Sequence, residues 1–178
     1  TVKDADIDKE LDRLRDRNAR KVDVTDRPCQ NGDIVNIDIT IVDEDGYYGD
    51  NSRMFEIGKP TIAGHRLCEA TFECMWKGIE AVRPGNLFND IGIACQKYCD
   101  SLGLSVVKEY GGHGIGRHVF HGEPHVSHSP IATPTAEFKP GMIFTIEPMV
   151  NAGRRHIMDL NDGWTVVTKD RLSLIHIS

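Results

Sequence analysis

Alternation of apolar and polar residues makes Ile34–Val42 a strand with two chemically distinct faces. Its sequence is Ile-Val-Asn-Ile-Asp-Ile-Thr-Ile-Val, with Val35, Ile37, Ile39 and Ile41 on one face and Asn36, Asp38 and Thr40 on the other. A period of two is that of a half-buried strand, which puts Asp38 on the polar face. Asp43-Glu44-Asp45-Gly46 follows, an Asp-Gly turn suited to reversing the chain, and Tyr47 to Phe55 runs back. An antiparallel return can bring Asp50 close to Asp38. Two carboxylates a few ångströms apart repel and shift each other's pKa unless a cation sits between them, and hard divalent cations prefer oxygen ligands. The alternative for Asp50 taken alone is a solvated turn residue.

Two further residues extend this acidic pair. His113 lies in Tyr110-Gly111-Gly112-His113-Gly114-Ile115-Gly116-Arg117, after a short apolar strand-like run from Leu104 to Val107. Glycines around one histidine let backbone approach closely and admit positive φ, as a side chain directed into a crowded site often requires. A lone histidine is more commonly a core or surface residue than a ligand, but His121 follows in Phe120-His121-Gly122-Glu123-Pro124 and could supply a second imidazole as acid, base or donor. His125 and His128 read as loop residues. Glu147 ends a strand-like run, Met142 to Ile146, opened by Pro140-Gly141 and closed by Pro148. The residue before proline is pushed to extended geometry, so Glu147 should continue the strand. Burying an unpaired carboxylate is costly, so a metal or cationic partner is the natural explanation; an edge-strand glutamate reaching water is the other.

Between these blocks the chain reads as helix twice. From Thr61 to Val82 the apolar set Leu67, Cys74, Met75, Ile79 and Val82 has helical spacing, ended by Arg83-Pro84-Gly85. From Asn86 or Asn89 to Leu102, the residues Ile91, Ala94, Cys95, Tyr98 and Leu102 face inward, with Cys99 beside Cys95, and Gly103 stops the helix. Hairpin, two helices, strand, long loop and strand make an α+β unit.

Composition narrows the function classes. The net charge of −6 offers no basic stripe for nucleic acid. No apolar run is long enough to span a bilayer, so no membrane role is expected. The five cysteines are odd in number and lack CxxC spacing, which suits a reducing compartment and a cytoplasmic location.

The ordered blocks now resemble type I methionine aminopeptidase. They are Gly32-Asp33-Ile34-Val35-Asn36-Ile37-Asp38, Gly49-Asp50 leading to Gly58-Lys59-Pro60, Gly112-His113-Gly114-Ile115-Gly116, Phe120-His121, Phe144-Thr145-Ile146-Glu147-Pro148-Met149-Val150, Asp162-Gly163-Trp164-Thr165 and Thr168-Lys169-Asp170-Arg171. The resemblance covers residues 31–171. It implies an incomplete pita-bread (creatinase/aminopeptidase) fold and removal of the initiator methionine from nascent polypeptides by two divalent metal ions, Co, Mn, Fe or Zn. By position, Asp38 resembles a ligand of one metal, Asp50 a bridging carboxylate, and His113 with Glu147 ligands of the other. His121 resembles the catalytic histidine that contacts the scissile peptide, and Phe120 and Trp164 resemble walls of the methionine pocket.

Two segments depart from that family. The family uses a second bridging glutamate near the C-terminus, whereas no glutamate follows Glu147 here. Residues 172–178, Leu-Ser-Leu-Ile-His-Ile-Ser, resemble translated sequencing adaptor and are expected to be non-native. Residues 1–30 carry Ile7, Leu11 and Leu14 at helical spacing among charged residues, which reads as one amphipathic helix and linker. With Asp26-Arg27-Pro28 and Asn31-Gly32-Asp33 they resemble trigger factor, a ribosome-associated chaperone. The expectation is therefore a fragment, inactive as it stands, of a methionine aminopeptidase. The alternatives are an X-Pro aminopeptidase or prolidase-like enzyme of the same fold, and a non-catalytic fusion that binds the ribosome or a nascent chain.

Overall fold

A computed structural model of the chain describes residues 28–161, 165–170 and 174–176. The amphipathic helix expected in residues 1–30 lies almost wholly outside the described residues, as does Trp164.

Strand β1 (Ile34–Val42) pairs antiparallel with β2 (Tyr48–Glu56) around the Asp-Gly turn, where Gly46 has φ +83°. That left-handed backbone is the conformation glycine adopts without steric cost. The register sets Thr40 opposite Asp50 and Asp38 opposite Ser52, so all four share a face. On that face Ser52 is buried and its hydroxyl donates to Asn36 Oδ1 at 2.8 Å. The apolar face behaves otherwise than the half-buried pattern implied. Ile37, Ile39 and Ile41 are 47%, 57% and 66% exposed, because among the described residues it is the polar face that turns toward the rest of the fold.

Helix α1 (Ile62–Glu80) starts at Thr61, whose hydroxyl accepts from the Gly64 N–H at 3.0 Å. Helix α2 (Phe88–Ser101) starts at Leu87, whose N–H donates to Asp90 Oδ2 at 2.7 Å. Both fall where apolar spacing put them. Val82, the last residue of the expected helical spacing, and Leu102, expected inward, are exposed because each lies past its helix's end. The helices meet through Leu67, Cys74, Ile91, Cys95 and Cys99, which form one core with Phe88, Val106, Val126 and Val150. Phe88 packs its ring 4.6 Å from Phe138 and 4.9 Å from Phe144, joining α2 to the later loop.

The expected long loop around His113 is instead a hairpin. Strand β4 (Gly111–Gly116) pairs antiparallel with β5 (Val119–Ser127), with irregular register at Gly112, Gly114 and Gly116. Its glycines conceal the strand from any alternation test, yet they permit its close backbone contacts. The two hairpin tips dock together. His118 N–H donates to Gly46 O at 2.7 Å, and Arg117 Nε donates to Asp45 O at 2.9 Å.

The short strand β3 (Ser105–Val106) joins β6 (Met149–Asn151) and β9 (Leu174–His176) in a sheet ordered β3-β6-β9, while β7 (Ile157–Asp159) pairs with β8 (Val166–Thr168). Met142 to Glu147 does not form the strand expected. It touches β4 through Thr145 N–H to His113 O at 2.9 Å and Ile115 N–H to Ile143 O at 3.2 Å. The bulged glycine strand offers no continuous ladder, and Pro148 has no N–H to extend one.

Candidate metal centre

Three of the four expected ligands converge from three separate elements. Asp50 comes from β2, His113 from β4, and Glu147 from the segment before β6. One ligand atom from each lies within 4.8 Å of the others. His113 Nε2 stands 3.5 Å from Asp50 Oδ2 and 3.4 Å from Glu147 Oε1, with the three side chains 13%, 7% and 12% exposed. Asp38 lies on the same face of the hairpin as a diagonal neighbour of Asp50, a placement that separates the two Cα atoms by about 7–8 Å. It is exposed and stands outside the three-residue cluster.

Hydrogen bonds orient each group. Thr40 Oγ1 donates to Asp50 Oδ1 at 3.2 Å, leaving Oδ2 turned toward His113. His113 Nδ1 lies 3.2 Å from Gly114 O. A carbonyl oxygen only accepts, so Nδ1 carries the proton in that bond, and Nε2 faces the two carboxylates, a donor when the ring is cationic and a lone pair when it is neutral. Three ligand-type atoms are thus gathered in a largely dry place. Two carboxylates in such a place call for positive charge, which the imidazolium of His113 or a bound metal ion can supply. A tetrahedral ion with ligand bonds of about 2.1 Å has ligand-to-ligand edges of about 3.4 Å, the spacing found around His113. The mixed carboxylate and imidazole donors suit Zn, Mn, Fe or Co.

Thr145 and His128 were not among the residues the sequence singled out for the site. Thr145 is 8% exposed, and its hydroxyl accepts from the His113 N–H at 3.0 Å and donates to Glu147 Oε1 in a short bond. His128 lies in the bend after β5, a loop residue as expected, but it is 1% exposed, and its Nε2 accepts from the Glu147 N–H at 3.0 Å. His125 lies in β5 rather than in a loop.

Phe120 and His121 flank the cluster. The His121 ring lies 4.6 Å from that of His113, and Phe120 lies 5.5 Å from His113 and 5.6 Å from Tyr48. His121 is exposed at the mouth of the site, so a bound molecule could reach it without displacing core.

Similarity to known proteins gives the family and the type of fold. The model of metallopeptidase family M24 matches residues 16–173. Methionine aminopeptidase of Escherichia coli (strain K12) is 54% identical over 142 residues, which is 80% of this chain and 53% of that protein. The crystal structure of methionine aminopeptidase from Rickettsia prowazekii superposes with a TM-score of 0.80 at 46% identity, over 85% of this chain and 60% of that one. Prolidase from Pyrococcus furiosus superposes with a TM-score of 0.63 at 22% identity, over 86% of this chain and 39% of that one, a likeness of fold alone. The fold is thus the expected pita-bread type, and the chain spans about half the length of the relatives it matches.

Proposed function

Because the chain belongs to metallopeptidase family M24, we propose that it is the metal-binding part of a methionine aminopeptidase, which removes the initiator methionine from new polypeptides. The observation that carries this reading is the convergence of Asp50, His113 and Glu147 from three elements onto one point. Asp50 would bridge two divalent cations, Co, Mn, Fe or Zn. His113 and Glu147 would hold one of them, and Asp38 the other. Paired cations of this kind lower the pKa of bound water and polarise a carbonyl.

The chain's own residues supply the rest. His121, exposed beside His113, would donate a hydrogen bond to the scissile peptide and steady the charge that develops on its oxygen. Phe120 and Trp164 would wall an apolar pocket for the methionine side chain. The partners are nascent polypeptide N-termini emerging from the ribosome, and the compartment is the cytoplasm. Residues 31–171 are the metallopeptidase unit in this reading. The trigger-factor-like segment 1–30 and the adaptor-like segment 172–178 stand beside it as sequence resemblances.

The relatives support methionine rather than Xaa-Pro as the residue released. The 54% identical protein is a methionine aminopeptidase, whereas the prolidase likeness is at 22% identity. A chimera tests the assignment. Residues 31–171 replace the matching stretch of the Escherichia coli enzyme, and release of methionine from Met-Ala-Ser is measured beside cleavage of Xaa-Pro peptides. Methionine release that disappears in Asp50→Ala and His113→Ala supports the proposal. A folded, metal-loaded chimera that cleaves only Xaa-Pro, or keeps full turnover in those variants, contradicts it.

A further inference from the structure

Glu147 reaches the cluster from a segment that is not a strand, so something other than a ladder must hold it. Its backbone precedes Pro148, which is fully buried and offers no N–H of its own. The Glu147 N–H is instead taken by His128 Nε2 at 3.0 Å. That bond requires an unprotonated Nε2, with the ring proton on Nδ1. The Glu147 carboxylate receives the Thr145 hydroxyl, and the same hydroxyl accepts the His113 N–H at 3.0 Å. One buried hydroxyl therefore ties the Glu147 carboxylate to the main chain of His113, which arrives from a different element. The Thr145 N–H closes the link by donating to His113 O at 2.9 Å.

We propose that Thr145 and His128 are positioning residues of the metal centre, Thr145 by fixing the Glu147 carboxylate against His113 and His128 by fixing the Glu147 main chain. Neither is among the residues that would hold the cation; each would set where a ligand atom stands. This inference rests on the metal-centre reading above. Groups that orient ligands in this way are worth about 10- to 100-fold in metal affinity.

The test is titration of the purified chain with cobalt(II) chloride, read by the visible absorption of the bound ion and by calorimetry. Thr145→Val keeps the shape and removes the hydroxyl, and should weaken binding about 10- to 100-fold while altering the absorption band at saturation. Thr145→Ser restores the hydroxyl and should recover both affinity and spectrum. His128→Leu should weaken binding, whereas His128→Gln, which keeps an acceptor for the Glu147 N–H, should weaken it less. Cys99→Ala, in the buried contact between α1 and α2 and on neither of the hairpins, controls for lost stability and should leave affinity unchanged. Should Thr145→Val fail to fold, the His128 pair carries the same comparison. Cobalt binding with unchanged affinity and band in Thr145→Val and His128→Leu overturns the inference alone. An original chain whose cobalt binding is insensitive to His113→Ala overturns the metal-centre reading, and this inference with it.

Discussion

A Cβ built on Gly112 would stand 2.2 Å from the carbonyl oxygen of Thr145. The closeness lets β4 lie against the segment that carries Glu147, and no substituent fits without moving backbone. Gly112→Ala should therefore destabilise the fold by about 1–3 kcal/mol through overpacking. It should also push His113 away from Glu147 and weaken divalent-metal binding. Thermal unfolding with and without cobalt(II) checks both effects. An unchanged midpoint and unchanged metal-induced shift would show that the two segments are not in such contact.

The thiols at the helix interface should be inert. Cys99 donates to Cys74 Sγ at 3.6 Å, and both are fully buried with Cys95. The hydrogen bond with Cys95 pushes the Cys74 thiol up, and the bond with Cys74, together with burial, pushes Cys99 up. Burial likewise raises Cys68. Thiolate is the reactive species, so these groups resist aromatic disulfide reagents. The folded chain should show one fast-reacting thiol, Cys29, which is exposed, and all five in denaturant. Three or more fast thiols in the native chain would contradict the packing of α1 on α2.

His65 links helix α1 to the end of β2. Its Nδ1 lies 2.8 Å from Glu56 Oε1, and that hydrogen bond raises its pKa above the ordinary histidine value, with further help from the charges of Glu56 and Glu69. A raised folded-state pKa means that the contribution to stability is complete below the unfolded pKa. It is lost as pH rises through the folded one. Histidine proton resonances followed by NMR should place the His65 midpoint above that of an unperturbed histidine, and Glu56→Gln should lower it. A midpoint indifferent to Glu56→Gln would remove this link between helix and hairpin.

The acidic half of the site was legible because its signals are local. Alternation in Ile34–Val42 and the Asp-Gly turn determine which residues share a face, so Asp38, Thr40 and Asp50 follow from spacing. The Glu147-Pro148 pair and the glycines around His113 marked the other two candidate ligands. What sequence did not disclose depends on contacts between distant segments. Gly111–Gly116 is a strand held by backbone approach, with no side-chain pattern to betray it. His128 looks like any loop histidine until Glu147 turns its N–H toward it. The outward Ile37, Ile39 and Ile41 show the converse limit, since alternation separates two faces without stating which one is covered.

Cobalt-edge anomalous diffraction from crystals of the chain grown with cobalt(II) tests the metal centre most directly. The account predicts a peak about 2.0–2.2 Å from Asp50 Oδ2, His113 Nε2 and Glu147 Oε1, absent in His113→Ala crystals. Saturating cobalt with no peak among those three atoms, or a peak that persists in His113→Ala, would contradict it.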